Sequence, residues 1–218
     1  MEPENRSLLV EGARTFGVHL DGKRVEAFNL YLEELLKWNE KINLTAIRTE
    51  KGVVLKHFLD SLSVYPFLLG HSFLLDIGSG AGFPGIPLKI VESSLEVTLV
   101  DSALKKVDFQ RHIIRRLHLA GIEAIHGRVQ QKEIVQRMEG RFDMVISRAF
   151  SHLPSLLTLS YPFVRTGGKV LAMKGQAVGD EMRYLSETER TLYRLEKAVS
   201  FLLPFSTFER SILIFEKV

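Results

Sequence analysis

An apolar run from Phe73 to Ile77 leads straight into three closely spaced glycines, Gly78, Gly80 and Gly82, and then into Pro84, Gly85 and a second apolar run from Ile86 to Val91. That order predicts a strand, a tight turn and a helix. Glycines reach turn angles closed to other residues and let the backbone approach a ligand with no Cβ in the way, while the first N–H groups of the helix behind them are left to bind. About 20 residues on, the apolar run Val97 to Val100 ends in Asp101, the spacing at which an acid grips ribose hydroxyls. Such a unit commits the chain to an α/β fold with a nucleotide-like ligand.

Gly80, Gly82 and Gly85 satisfy the G-x-G-x-x-G pattern, so a nicotinamide or flavin dinucleotide is one reading. Asp76 argues against it. A dinucleotide brings an anionic pyrophosphate to this turn, where two like charges about 4 Å apart repel by about 4 kcal/mol at an effective dielectric of 20. S-adenosylmethionine carries a sulfonium and an ammonium and no phosphate, so Asp76 attracts it while Asp101 still serves its ribose.

From Phe73 onward, strands and helices alternate, which predicts a mostly parallel sheet with helices on both faces. The expected strands are Phe73 to Ile77, Val97 to Val100, Glu123 to His126, Phe142 to Ile146 and Lys169 to Met173, with Ala198 to Leu203 and Ser211 to Phe215 closing the sheet antiparallel. Expected helices include a basic one over Ala103 to Leu119, with apolar face Leu104, Val107, Ile114 and Leu117, and a charged one over Asp180 to Glu196. Tyr161 to Gly168 reads as a polar turn. The first seventy residues read as helical, with Asp21 as N-cap of a stripe through Val25, Phe28, Leu32, Leu35 and Leu36.

The 218 residues suffice for one α/β domain and a small appendage. With 29 Lys and Arg against 26 Asp and Glu, the net charge is only +3, a mild pointer to an anionic partner. No signal-like or membrane-length apolar segment occurs, so a cytoplasmic protein without a membrane partner is expected. The absence of cysteine excludes disulfides, thiolate metal sites and a cysteine nucleophile, and disfavours methylation at C5 of a pyrimidine. No metal-ligand cluster stands out.

Several stretches together carry a resemblance: W-N-E-K-I-N-L-T-A-I at Trp38 to Ile47, H-F-L-D-S-L at His57 to Leu62, D-I-G-S-G-A-G-F-P-G-I-P-L at Asp76 to Leu88, F-D-M-V-I-S-R-A at Phe142 to Ala149, and Lys174 with Gly175. The glycine stretch resembles class I S-adenosylmethionine-dependent methyltransferases. The full set resembles the RsmG family, or glucose-inhibited division protein B, bacterial methyltransferases of guanine N7 in small-subunit ribosomal RNA. The resemblance implies a Rossmann-like class I methyltransferase fold with a seven-stranded sheet over residues 71–218, behind a helical N-terminal extension over residues 1–70. It implies S-adenosylmethionine held by Asp76, Gly78, Gly80, Phe83, Asp101, Val129, Gln130 and Arg148, with Arg148 and Lys174 at the reacting centre. Many relatives carry an acid where this chain has Gln130. The implied partner is ribosomal RNA or the small subunit, met by a monomer. A dinucleotide-dependent oxidoreductase and a non-catalytic RNA-binding protein of the same fold remain as alternatives.

Overall fold

The computed structural model describes residues 1–68, 70, 72–148, 150, 152–175, 183 and 185–218. Seven strands, β1 (Phe73–Ile77), β2 (Glu96–Asp101), β3 (Ile122–His126), β4 (Phe142–Ser147), β5 (Val164–Lys174), β6 (Tyr193–Leu202) and β7 (Glu209–Lys217), form one sheet in the order β3-β2-β1-β4-β5-β7-β6. β1 to β5 run parallel, while β7 is antiparallel to both β5 and β6. The strand order reverses between β1 and β4, and ligands of open α/β sheets bind beyond the strand ends at such a point.

Side chains alternate with a period of two, so one sequence pattern feeds two cores. Leu74, Leu99, Ile146, Leu171 and Ile214 face one layer. Leu75, Val100, Val145, Val170 and Leu213 face the other. The second layer is closed by α7 (Lys132–Met138) and α8 (Leu153–Ser160). The first is closed by α5 (Gly85–Val91) and α6 (Leu104–Arg116) together with the N-terminal helices. These are α1 (Pro3–Arg14), α2 (Gly22–Ile42), α3 (Glu50–Val53), a π-helical turn Val54–Leu59 and α4 (Asp60–Leu62). Val25, Phe28, Leu32 and Leu35 of α2 are buried in this core, and Asp21 caps the helix by accepting from the Arg24 N–H at 2.8 Å. α2 ends where Asn43 turns left-handed, with φ of 49°. The N-terminal helices and the sheet thus share a single apolar core.

Three elements differ from expectation. The charged helix over Asp180 to Glu196 is confined to α9 (Glu187–Leu192), and Tyr193 begins a strand; residues 180–182 and 184 lie outside the described residues. β6 is the sheet edge, where charged residues guard an exposed strand and mask its alternation. Arg194 there pairs with Glu216, and Lys169 with Glu196 at 2.9 Å. β5 starts at Val164 rather than Lys169, because the expected turn is a register shift within the strand around Gly167 and Gly168. Leu104 is half exposed at the start of α6, whose buried side chains are Val107, Phe109, Gln110 and Ile113. Among the described residues, no helix is long and apolar enough to cross a membrane.

α5 packs closely on the sheet because Gly85 has no side chain. A Cβ there would stand 2.3 Å from Leu99 Cδ2 and 3.2 Å from Val97 Cγ1. Gly85→Ala should therefore lower the free energy of unfolding by about 1–3 kcal/mol. Gly22→Ala, where a Cβ meets nothing within 4 Å, should change it by less than about 1 kcal/mol. Urea denaturation of both variants checks the contrast, and equal effects would mean that α5 does not depend on this close approach.

Candidate active site

The glycine turn is built on left-handed backbone, with φ of 71°, 61° and 98° at Gly78, Gly80 and Gly82. Gly78 and Ser79 donate their N–H groups to Val100 O at 2.8 and 3.2 Å, tying the turn to the end of β2. Asp101 holds it from the side, with Oδ2 accepting from Gly80 N at 2.8 Å and Oδ1 from Ala103 N at 2.8 Å. Asp76 holds it from below, with Oδ2 accepting from Gly85 N at 2.9 Å. Gln110, fully buried on α6, donates to Ser79 Oγ at 2.8 Å and to Gly80 O at 2.6 Å.

Two neighbouring cavities border this turn, and a third adjoins the second at Arg148. The first, about 270 Å³, is lined by Gly78, Asp101, Ser102, Val129, Gln130 and Phe150, among others. The second, about 210 Å³, is lined by Thr45, His57, Gly78, Gly80, Phe83, Lys106 and Arg148, among others. The third, about 300 Å³, is lined by Lys56, Asp60, Arg148, Lys174, Gly175 and Arg210, together with Ile47 and Met173. Gly78 is shared by the first two and Arg148 by the last two.

Arg148 sits at the end of β4 with its guanidinium held on several sides. Nη1 donates to Lys56 O at 3.1 Å and to Asp60 Oδ2 at 3.3 Å, Nη2 donates to His57 Nδ1 at 3.2 Å, and Cζ lies 5.3 Å from the Phe83 ring centre. Because Nδ1 of His57 accepts, its proton belongs on Nε2, which meets Thr45 Oγ1 at 2.9 Å. The imidazole stacks on Phe83 at 4.4 Å and 8°, and Phe83 stacks in turn on Tyr31 at 5.2 Å and 13°. Tyr31 anchors the column by donating to Ala81 O at 2.5 Å. Burial, and then the Arg148 charge, push the His57 pKa down to about 3. Its ring stays neutral and its lone pair is taken by Arg148.

Asp76 stands apart from the other predicted residues. It is fully buried and borders none of the three cavities. Oδ1 has no hydrogen-bond partner, and burial pushes its pKa up to about 7 despite the Gly85 N–H and Arg148, with Asp101 adding to the rise. Protonation relieves the burial of its charge, and a cation brought close to the turn would favour the ionised form instead. Gly78, Asp101, Val129 and Gln130 border the first cavity; Gly78, Gly80, Phe83 and Arg148 border the second; and Arg148 and Lys174 border the third. Lys174 is buried and donates to Phe150 O at 2.9 Å, so it is not a solvated surface cation. Ala149, next to Arg148 in the matching stretch, lies outside the described residues. The basic side chains of α6 are largely engaged with the protein. Lys105 donates to Ile42 O at 2.8 Å, Arg111 to Ala124 O at 3.2 Å, and Arg116 and His112 face Glu34. Sequence reasoning missed Arg210 and Gln110, and read Lys106 only as part of the basic helix. Among the described residues, no group of three or more His, Cys, Asp or Glu is placed to hold a metal ion.

The strand order and the glycine turn at its reversal define a class I methyltransferase fold. The same architecture occurs at low identity in solved structures. The precorrin-6y C5,15-methyltransferase of Geobacter metallireducens GS-15 is 11% identical, with a TM-score of 0.52 over 73% of this chain and 87% of that one. M. jannaschii TYW2 in complex with AdoMet is 14% identical, with a TM-score of 0.51 over 67% of this chain and 69% of that one. The family description "rRNA small subunit methyltransferase G" matches residues 24–211. The ribosomal RNA small subunit methyltransferase G of Geotalea uraniireducens (strain Rf4) is 42% identical over 219 residues, covering 100% of this chain and 99% of that one. The chain belongs to the rRNA small subunit methyltransferase G family.

Two buried groups give the ligand-free protein a testable pH signature. Asp76 titrates in the fold above its ordinary 3.8, so the stability it contributes is fully present below 3.8 and lost as pH rises through about 7. His57 titrates below its ordinary 6.5, so its contribution is present above 6.5 and lost as pH falls towards about 3. The two slopes oppose each other where the windows overlap. Asp76→Asn removes the first, so the variant should gain on the parent as pH rises from about 4 to about 7, by up to about 1.4 kcal/mol per pH unit, and no further above. Denaturation of both proteins across this range measures it; a difference independent of pH would mean that Asp76 is ionised in the fold.

Proposed function

We propose that the chain, as a monomer, transfers a methyl group from S-adenosylmethionine to N7 of a guanine in 16S ribosomal RNA. Methylation of small-subunit ribosomal RNA follows from family membership, which does not favour the oxidoreductase and non-catalytic readings. The N7 position goes beyond that membership. The observation that carries it is the His57 lone pair, occupied by Arg148 Nη2 at 3.2 Å, which leaves this imidazole unable to act as a base; the cavities joined by Gly78 and Arg148 offer room for the donor and a target base.

In this reading, Val129 and Gln130 flank the adenine, and Gln130 offers an amide that both donates and accepts. Asp101 receives the ribose hydroxyls, since each carboxylate oxygen retains a lone pair beside the N–H it already accepts. Gly78, Gly80 and Phe83 shape the second cavity around the methionine end. Lys106 supplies a cation for its carboxylate, and the ammonium and sulfonium of the bound donor would favour the ionised form of Asp76, which lies beneath the turn and outside the cavities. When bound, the sulfonium provides an already activated methyl group. Arg148 and Lys174 border the space where the target base would lie, and orient it. The extension over residues 1–70 contributes Leu44, Thr45 and His57 to the second cavity, which supports its role as a cover for the site.

Guanine N7 carries an in-plane lone pair and loses no proton before it attacks, so no general base is required. The site suits this chemistry, because the lone pair of His57 is occupied by Arg148. Catalysis then rests on alignment and on excluding water.

The test is labelled methyl transfer to naked 16S RNA and to assembled small subunits, with nucleoside analysis of the product. We expect 7-methylguanosine, at a single-turnover rate without the slope of a titrating base between about pH 6 and 8. A methyl group on an exocyclic amine or a pyrimidine carbon would overturn the reading, and so would RNA binding without transfer. A Cβ at Gly80 meets only Gly78 O at 4.0 Å in otherwise open space, at φ of 61°. Gly80→Val should therefore fill ligand space and abolish calorimetric binding of S-adenosylmethionine. A folded variant with parental affinity would make the turn merely structural.

A further inference from the structure

Asp60 is the most enclosed charge in the third cavity, with its side chain 4% exposed, and it lies between two arginines. Its Oδ1 accepts from Arg210 Nε at 2.7 Å, and its Oδ2 from Arg148 Nη1 at 3.3 Å. The shorter bond runs to Arg210, whose side chain is 19% exposed and whose Nη1 is fixed on Glu209 O at 2.8 Å. Arg210 lies on β7, beside Ser211, which pairs with Lys174 of β5. The sheet therefore sets Arg210, Arg210 sets the plane of the Asp60 carboxylate, and that plane sets one edge of the Arg148 guanidinium. The other edge is set by His57, one turn earlier in the same helical segment.

We propose that Arg210, acting through Asp60, is a positioning residue for methyl transfer. It holds Arg148 in the orientation that aligns the target base with the donor. This rests on the reading of Arg148 as the boundary between the donor and target cavities. Two features favour positioning over direct contact with RNA. Two of Arg210's three guanidine nitrogens already donate within the protein. The Asp60 carboxylate between the two arginines also leaves each oxygen committed to one of them. An arginine placed to grip an RNA phosphate would instead keep its paired N–H groups outward.

The experiment uses the full chain with small subunits or 16S RNA, and measures four quantities for Arg210→Gln, Arg210→Lys, Asp60→Asn and the Arg210→Gln/Asp60→Asn double variant. These are donor affinity by calorimetry, RNA affinity as a function of salt, the single-turnover rate at saturating donor and RNA, and the melting temperature. For Arg210→Gln we expect donor affinity, RNA affinity and its salt slope within about twofold of the parent, with the saturated rate lowered about 10- to 100-fold. Arg210→Lys, which can still pair with Asp60, should recover much of that rate. Asp60→Asn should resemble Arg210→Gln, and the double variant should be no slower than either, because the two act as a unit.

Weakened RNA binding with a flatter salt slope and a parental saturated rate would make Arg210 an RNA contact and overturn the proposal. Multiplicative losses in the double variant would overturn it too. If Arg210→Gln shows no cooperative melting, Arg210→Lys and Asp60→Asn carry the same comparison, and a parental saturated rate in both overturns the proposal. Failure of the underlying reading is recognised separately, because the parent protein itself would then transfer no methyl group to RNA.

Discussion

A guanidinium three-quarters enclosed by protein, as that of Arg148 is, needs partners, since the desolvation of an ion costs several times what one ordinary hydrogen bond returns. Arg148 stands at the end of β4, where the sheet opens to its ligands, and its needs are met almost entirely by one helical segment outside the α/β unit. Lys56 O, His57 Nδ1 and Asp60 Oδ2 all come from the π-helical turn and the residue that follows it. π-turns are uncommon and gather at functional sites. Here the turn brings a backbone carbonyl, an imidazole and a carboxylate to bear on a single cation. The N-terminal helices are therefore bound to the sheet by polar geometry at the site as well as by the shared apolar core. Loosening either would disturb the other.

The two acids of the glycine turn show how environment separates residues of one type. Asp101 accepts two backbone N–H groups and still borders a cavity. Asp76 is fully buried with one oxygen unpartnered, and its pKa is pushed up to about 7. In the proposed function the first meets the ribose hydroxyls, while the second is poorly stabilised as an anion by the protein alone. Gln110 adds rigidity by holding Gly80 O from beneath, so the turn keeps its shape without depending on a ligand.

Much of the α/β unit was legible in the sequence, because glycine spacing and apolar alternation are local signals. β1, the turn, β2 with its terminal Asp101, and β4 with Arg148 fall where the pattern put them. Only the second half of β6 was legible, from Ala198 onward; its first half, from Tyr193, was not, since an edge strand rich in charge has no buried face to impose a period of two. Nor was the Arg210 contact with Asp60, which joins residues 150 positions apart. No local motif announces that pair; only the closing of the sheet by β7 creates it. The role of His57 was hidden for a related reason. A single histidine carries no sign of its tautomer until its neighbours are placed.

The central claim is that Arg148 belongs at once to the donor site and to the target site. Arg148→Lys tests it most directly, because lysine keeps the charge but cannot reproduce the planar fork that joins Lys56, His57 and Asp60. Donor affinity by calorimetry and the single-turnover rate at saturating donor and RNA should both fall in a variant that melts like the parent. Parental affinity together with a parental rate would contradict the account.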